Sequence, residues 1–199
     1  MAIKGLSKLV FAKYTATGNA VTHADPVNNE KLASYTADFE TGDANNLYLD
    51  NDIAETDGGV FQSGTIEIET GDLSNDTSKL LYSVKEKEVQ SGSSTVKELV
   101  YDDELKINEL GVGLAELHQL NGNDFYRAIW FPRVRFNIPS DAATTQGGNI
   151  DWQTKAVTGT ILRSAEISEG YVHPWKITAD FQTEAEAFAY LMKKGGKTA

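Results

Sequence analysis

The sequence predicts a mainly β (α+β) chain, a sandwich or barrel-like sheet pair with two short flanking helices and one long extended loop. Three observations carry this prediction. Apolar residues recur at every second position through most of the chain, the spacing that gathers them on one face of a strand. The pair Asn121-Gly122 separates two long alternating segments, where a tight primed turn needs positive φ at both central residues. Two short segments break the period of two and begin with residues suited to capping a helix. No composition break, long linker or internal repeat divides the 199 residues, so residues 1–199 read as a single domain.

Taken in chain order, "MAIKGLSKLVFAKYT" opens the first strand. "SYTADFET" places Tyr35, Ala37 and Phe39 on one face, and "VFQSGTIEIET" does the same with Val60, Ile66 and Ile68 while Glu67 and Glu69 face away. "GDLSNDTSKLLYSV" spaces Leu73, Leu80, Leu81 and Val84 as a helix does, with Asp72 or Ser74 as its cap. "VKEKEVQSGSSTVKELVYDD" reads as a charged hairpin turning at Ser91 to Ser94, too poor in apolar surface to be central. "LGVGLAELHQL" and "FYRAIWFPRVRFNIP" form the arms of the Asn-Gly hairpin. In the second arm Tyr126, Ala128, Trp130, Val134, Phe136 and Ile138 make a long apolar face, and Arg127, Arg133 and Arg135 share the other with Ile129 and Phe131. Pro132 has no N–H to donate, so this strand is an edge or is bulged near its middle. Strands follow at "AVTGTILRS" and "YVHPWKITADF", the latter with Tyr171, His173, Trp175, Ile177 and Phe181 on one face. The last element, residues 183–194, is a helix. Thr183 and Glu186 make its capping box, Ala185, Phe188, Ala189 and Met192 its apolar face, and Lys193 and Lys194 suit its negative end.

Composition narrows the function. Cysteine is absent, which excludes disulfides, thiolate metal sites and cysteine nucleophiles. No apolar run approaches the roughly 18 residues of a membrane span and the N-terminus has no signal-peptide core, so a soluble protein with no membrane partner is expected. Net charge is −11, from 29 acidic against 18 basic residues. A nucleic-acid binder needs the opposite balance to neutralise phosphates, and this field repels DNA.

The chain offers no catalytic, metal or cofactor residues, and no enzyme is expected. His23, His118 and His173 lie in three separate segments without ligand spacing, and His173 reads as a packed side chain. "GVGLAE" at 111–116 has Glu116 where a dinucleotide fingerprint ends in glycine, so its glycines are read as admitting another backbone closely. "NNLYLDNDIAETDGG" crowds Asp50, Asp52, Glu55 and Asp57 together, yet an EF-hand register from Asp50 fails at Ala54 and Glu55. Of the tryptophans, Trp130 and Trp175 fall on apolar strand faces, whereas Trp152, in "GGNIDWQT", reads as exposed.

Several segments together resemble the major tail protein, or tail tube protein, family of long-tailed phages infecting Gram-positive bacteria. They are "MAIKGLSKLVFAKYTATGNAVTH", "NNLYLDNDIAETDGGVFQSGTIEIETGDLS", "FYRAIWFPRVRFNIPSD", "WQTKAVTGTILRS" and the helical C-terminus, in that order. The resemblance covers nearly the whole chain and rests on segment order and local texture. It implies a β-sandwich subunit that forms hexameric rings, stacked into the tube through which genomic DNA is ejected. It also implies assembly in the host cytoplasm into a virion, and tape-measure, tail terminator and distal tail proteins as partners. DNA would pass through the lumen without specific binding.

Within that reading, residues 43–61 are the inter-ring arm, with Leu47, Tyr48 and Leu49 as apolar anchor and Asn46, Asp50 and Asp52 beside them. A polar loop has little reason to expose three such side chains unless something covers them. Glu67 and Glu69 are the candidate acidic residues of the lumen, and the hairpin around residues 85–102 is a second candidate contact. The alternative reading is a carbohydrate-binding β-sandwich of receptor-binding or adhesin type, with Trp152 as its platform.

Overall fold

The computed structural model describes residues 2–145, 148 and 152–197, and over these the chain is mainly β with two helices. The strands run β1 (Ala2–Thr17), β2 (Ala20–Val27), β3 (Leu32–Thr41), β4 (Asn45–Leu49), β5 (Asp52–Asp57) and β6 (Phe61–Thr70), then helix α1 (Asn75–Tyr82). There follow β7 (Lys85–Ser91), β8 (Ser94–Val100), β9 (Glu109–Leu120), β10 (Asn123–Phe136) and β11 (Lys155–Ile161). Two short strands, β12 (Ile167–Ser168) and β13 (Tyr171–Val172), precede β14 (Ile177–Phe181) and helix α2 (Glu184–Lys194).

The Asn-Gly hairpin is the spine. Asn121 and Gly122 take φ of 51° and 83°, the primed-turn conformation, and β9 pairs with β10 from Leu120–Asn123 onward. The register shifts between Phe131 and Val134, where Pro132 cannot donate. On either side of this bulge β10 takes a different second neighbour: Tyr126–Trp130 pair with β14, and Val134–Phe136 pair with β11. These strands form one eight-stranded antiparallel sheet, β2-β1-β9-β10-β11-β6-β3 with β14 branching from β10, and β10 divides it into two parts, a first sheet β2-β1-β9-β10-β14 and a second β10-β11-β6-β3. A strand that changes sheet through a bulge turns a corner. The second sheet folds over the first, so that Tyr35 of β3 reaches Glu116 of β9 and Phe39 of β3 lies near Phe131 of β10.

The bulge also corrects the expected apolar face of β10. An extra residue reverses which side each later side chain takes. Ala128 and Trp130 point away from the sandwich towards α2, whereas Ile129, Phe131, Val134 and Phe136 enter its core. Ile138 lies beyond the strand and is exposed. A similar slip occurs at β6, whose register with β3 shifts between Glu40 and Thr41: Phe61 is buried there and Val60, the residue expected inside, is exposed.

The main core fills the space between the sheets with Leu9 and Phe11 of β1, Val112 and Leu114 of β9, and Ile66 and Ile68 of β6, among others. Helix α1 closes one end through Leu81 and Tyr82. Of the two expected caps, Asp72 and Ser74, it is Ser74 that caps it, and the buried Glu30 carboxylate accepts from the Ser74 N–H, the Ser74 hydroxyl and the Thr77 hydroxyl at 2.9, 2.7 and 2.5 Å. An anion at a helix N-terminus meets the unpaired N–H groups there, which is why this carboxylate tolerates burial.

A second, smaller core lies on the outer side of the first sheet, where Val10, Ala12, Ala115, Ala128 and Trp130 meet Ala187 and Leu191 of α2. The Thr183–Glu186 capping box forms as expected. The buried stripe differs: Ala187 and Leu191 face the sheet, and the predicted face of Ala185, Phe188, Ala189 and Met192 is exposed or half-buried. The helix is apolar on two sides, and periodicity alone does not say which the sheet will take. Gly111 and Gly113 also act otherwise than expected. A Cβ at Gly113 would come within 2.8 Å of both Trp130 and Leu191, and one at Gly111 would overlap the Trp130 and His23 rings. What approaches is an indole, not a backbone. The face predicted for "YVHPWKITADF" is likewise broken by a turn at His173, φ 52°. Trp175 joins the main core, stacked on Phe61 at 4.4 Å, while Ile177 and Phe181 pack towards α2.

Candidate assembly surfaces

The acidic segment is a β-hairpin rather than an extended loop. β4 and β5 pair antiparallel from Asn45–Asp57 to Leu49–Asp52, with a bulge after Leu47–Glu55, and Asp50 and Asn51 turn the chain at φ 51° and 66°. Asp and Asn tolerate this left-handed conformation better than other non-glycine residues, which explains the turn's position. Thr56 donates to the Asn46 side chain at 2.9 Å, and the Asp52 carboxylate accepts the Ile53 N–H at 2.8 Å. The base is closed by a bond from Gly42 N–H to Val60 carbonyl at 2.9 Å. Gly59 must be glycine there, because a Cβ would overlap the Gly42 carbonyl.

The ribbon stands away from the sandwich. Leu47, Tyr48, Leu49 and Ile53 are 52, 60, 58 and 50% exposed, so the three anchor residues named from sequence do not fold back on their own subunit. Two-stranded ribbons are marginal in water, and this one carries its apolar side chains uncovered.

Glu67 and Glu69 lie, as predicted, opposite Ile66 and Ile68 on the outer face of the second sheet. Their cross-strand neighbours are Thr36 and Ser34 on β3 and Thr158 and Ala156 on β11, and the Ser34 hydroxyl donates to Glu69 at 2.7 Å. Asp38 and Glu40 extend the same face. It is an open, acidic, hydroxyl-rich surface. The edges of the pairing order are β2, β3 and the branch strand β14, and such edges invite pairing with another chain. The β7–β8 hairpin forms where expected and stands in solvent, with Lys97 and Lys79 both on Glu86 at 2.7 and 2.9 Å. Those two ammonium groups hold the Glu86 carboxyl below its usual range.

One polar cluster was not predicted. Glu116 and His118 continue the inward face of β9 towards the hairpin end; Tyr35 donates to Glu116 at 2.5 Å, and His118 Nε2 lies 2.7 Å from its other oxygen. Burial, reinforced by the carboxylate, pushes the Tyr35 phenol well above its usual range. The signal was present in the sequence, since both residues share the even positions of Leu110, Val112 and Leu114. The cluster lacks a nucleophile activated by a base, and among the described residues no group of three or more His, Asp or Glu is placed to hold a metal. His173 Nδ1 meets the Ser164 carbonyl at 2.9 Å in a turn, where a strand face had been expected.

His23 lies against Trp130, ring centroids 5.1 Å apart, with Nε2 donating to the Pro132 carbonyl at 2.8 Å. Burial lowers its pKa below the ordinary 6.5; the Pro132 bond and Glu166 oppose this, and Lys194 adds to it. The unfolded chain therefore takes up a proton first as pH falls. The stability this neutral ring contributes is complete above about pH 6.5 and declines below it, towards the folded-state pKa. Between pH 7.5 and 5.5 the melting temperature of the wild type is expected to fall more steeply than that of His23→Gln. Parallel slopes in thermal melts would exclude this role.

Trp152 is 87% exposed, as predicted, beside residues 149–151, which lie outside those described. No helix is long and apolar enough to cross a membrane among the described residues. No family model and no curated protein matches the chain.

Proposed function

We propose that this protein is a structural subunit of a phage tail tube, assembling head to tail into hexameric rings that stack around a DNA conduit. The observation that carries this reading is the β4–β5 ribbon, which holds Leu47, Tyr48, Leu49 and Ile53 in solvent on a projecting arm. Four such side chains on one ribbon are a contact without its partner. A contact between different patches of identical subunits closes a ring or propagates a filament, and a stacked tube uses both. The acidic face around Glu67 and Glu69 suits the bore, because phosphate slides past a negative wall without sticking. The free edges β2 and β3 suit pairing between neighbours. The role needs no catalytic residue, no cofactor and no membrane, and places the protein in the virion. Tape-measure, terminator and distal tail proteins would meet the tube along its lumen and at its ends.

Negative-stain microscopy of concentrated protein, alone and seeded with tail-initiation components, tests the reading. Sixfold rings and tubes are expected; a protein that stays monomeric in every condition overturns it. The exposed Trp152 favours one competing reading, a glycan-binding module. That reading requires saturable glycan binding lost in Trp152→Ala and no ordered assembly.

A further inference from the structure

Helix α2 buries Ala187 and Leu191 in the second core, and Phe188, Tyr190 and Met192 pack at the margin of that core while staying half exposed. Its outward side, with Phe181 of β14, forms an open groove of about 730 Å³ lined by Phe188, Ala189, Tyr190 and Met192. Lysines rim it. Lys193 and Lys197 line the groove, Lys8 lies over the Phe188 ring at 5.3 Å, and Lys194 lies 5.8 Å from the Tyr190 ring. Lys193, Lys194 and Lys197 make no ion pair among the described residues. Glu186 is the one carboxylate that lines the groove, accepting from the Thr183 N–H and hydroxyl at 3.0 and 2.9 Å, and Glu184 beside it pairs with Lys8 at 3.7 Å. In a chain of net charge −11, this is a half-exposed apolar surface at whose rim lysines outnumber carboxylates.

The β4–β5 ribbon has the complementary character. Residues 43–57 contain Asp43, Asp50, Asp52, Glu55 and Asp57 and no lysine or arginine, and they surround the exposed Leu47, Tyr48, Leu49 and Ile53. Lengths agree as well. Five residues of strand span ~16 Å and the eleven of α2 span ~16 Å. The ribbon is rooted between β3 and β6, in the second sheet, whereas α2 covers the first. Donor and acceptor thus lie on different faces of one subunit, which makes the contact head to tail between two copies.

We infer that the β4–β5 ribbon of one copy docks in the α2 groove of the next. Its apolar side chains cover Phe188 and Met192, and its carboxylates meet Lys193 and Lys197. The inference rests on the self-assembly reading and names the two surfaces that reading must join.

The absence of cysteine permits a clean test. Ala54→Cys on the ribbon and Ala189→Cys in the groove leave every anchor in place. Mixed under oxidising conditions, these full-length variants are expected to form a disulfide-linked heterodimer at least tenfold faster than Ala54→Cys with Ser93→Cys, at the β7–β8 turn. Tubes without this preference overturn the docking and leave the tube reading standing. Cross-linked pairs without tubes support the docking and overturn ring stacking. Monomers without cross-links, both alone and seeded with tail-initiation components, overturn both. As a second arm, Lys193→Glu with Lys197→Glu in the groove copy should slow cross-linking about tenfold, since two exposed ion pairs become repulsive. Asp50→Lys with Asp52→Lys in the ribbon copy should restore it; a rate unmoved by either reversal overturns the charge pairing and with it the docking.

Discussion

Replacing Leu47, Tyr48 and Leu49 together by serine is expected to abolish assembly while leaving the subunit folded. All three are more than half exposed in the free subunit, so the fold gains little from them. Surface substitutions of this kind usually change stability by no more than about 0.5 kcal/mol each. In the assembled state the balance differs. Burying the remaining half of each side chain contributes about 1 kcal/mol or somewhat more. Three together then weaken each contact by roughly 3–4 kcal/mol, a factor of several hundred in its association constant. Every subunit makes the contact, so the loss repeats along the tube. Sedimentation velocity should show the variant as a single slow species at concentrations where the wild type forms tubes, and with both diluted to monomer their melting temperatures should agree within about 6 °C. Tubes of normal length would remove the ribbon from the contact. A melting temperature lower by 10 °C would mean that these side chains pack on their own subunit.

Local chemistry made some of this legible in the sequence. The Asn121-Gly122 turn and the Thr183–Glu186 capping box depend on a few adjacent residues and formed where the sequence placed them, and the α1 cap fell on Ser74, one of its two candidates. The misreadings arose where one extra residue or one neighbour decided the outcome. Pro132 signalled a bulge, but which side chains the bulge turned inward depended on β14 and β11 taking the two halves of β10. Val60 and Phe61 exchanged roles through a slip against β3 that period-two counting does not register. In α2, the deciding factor was the hollow above Gly111 and Gly113, filled by Trp130 and Leu191. The apolar Leu47, Tyr48 and Leu49 stand out in the sequence as an anomaly of composition, whereas the Asp50-Asn51 turn that makes their segment a hairpin carries no glycine to mark it. Glu116 and His118 were in plain sight as inward positions; their partner Tyr35 lies on a strand that only the folding of one sheet over the other brings near.

Trp130→Ala is expected to be the most damaging single substitution on the α2 side of the molecule. The indole is 1% exposed and lies between the Gly111-Gly113 floor, Leu191 and the His23 ring. The glycines cannot move to fill its place, because they belong to a strand paired on both sides, with β1 and β10. A cavity that cannot collapse puts a Trp→Ala change in the range of about 3–5 kcal/mol. For a chain of this size that lowers the melting temperature by roughly 10 °C or more. The damage should be uneven. Helix α2 has lost its main footing and should exchange its amides early, while α1 and the main core, which Trp130 does not enter, keep their protection. His23 gains water on the side the indole covered, so its pKa moves back towards 6.5 and the acid sensitivity of the melt diminishes. Assembly should fail as well, because the groove moves with the helix. Here, unlike in the ribbon variant, it fails together with stability. A melting temperature within about 2 °C of wild type would show that the sheet holds α2 without the indole, and the account of the second core would be wrong.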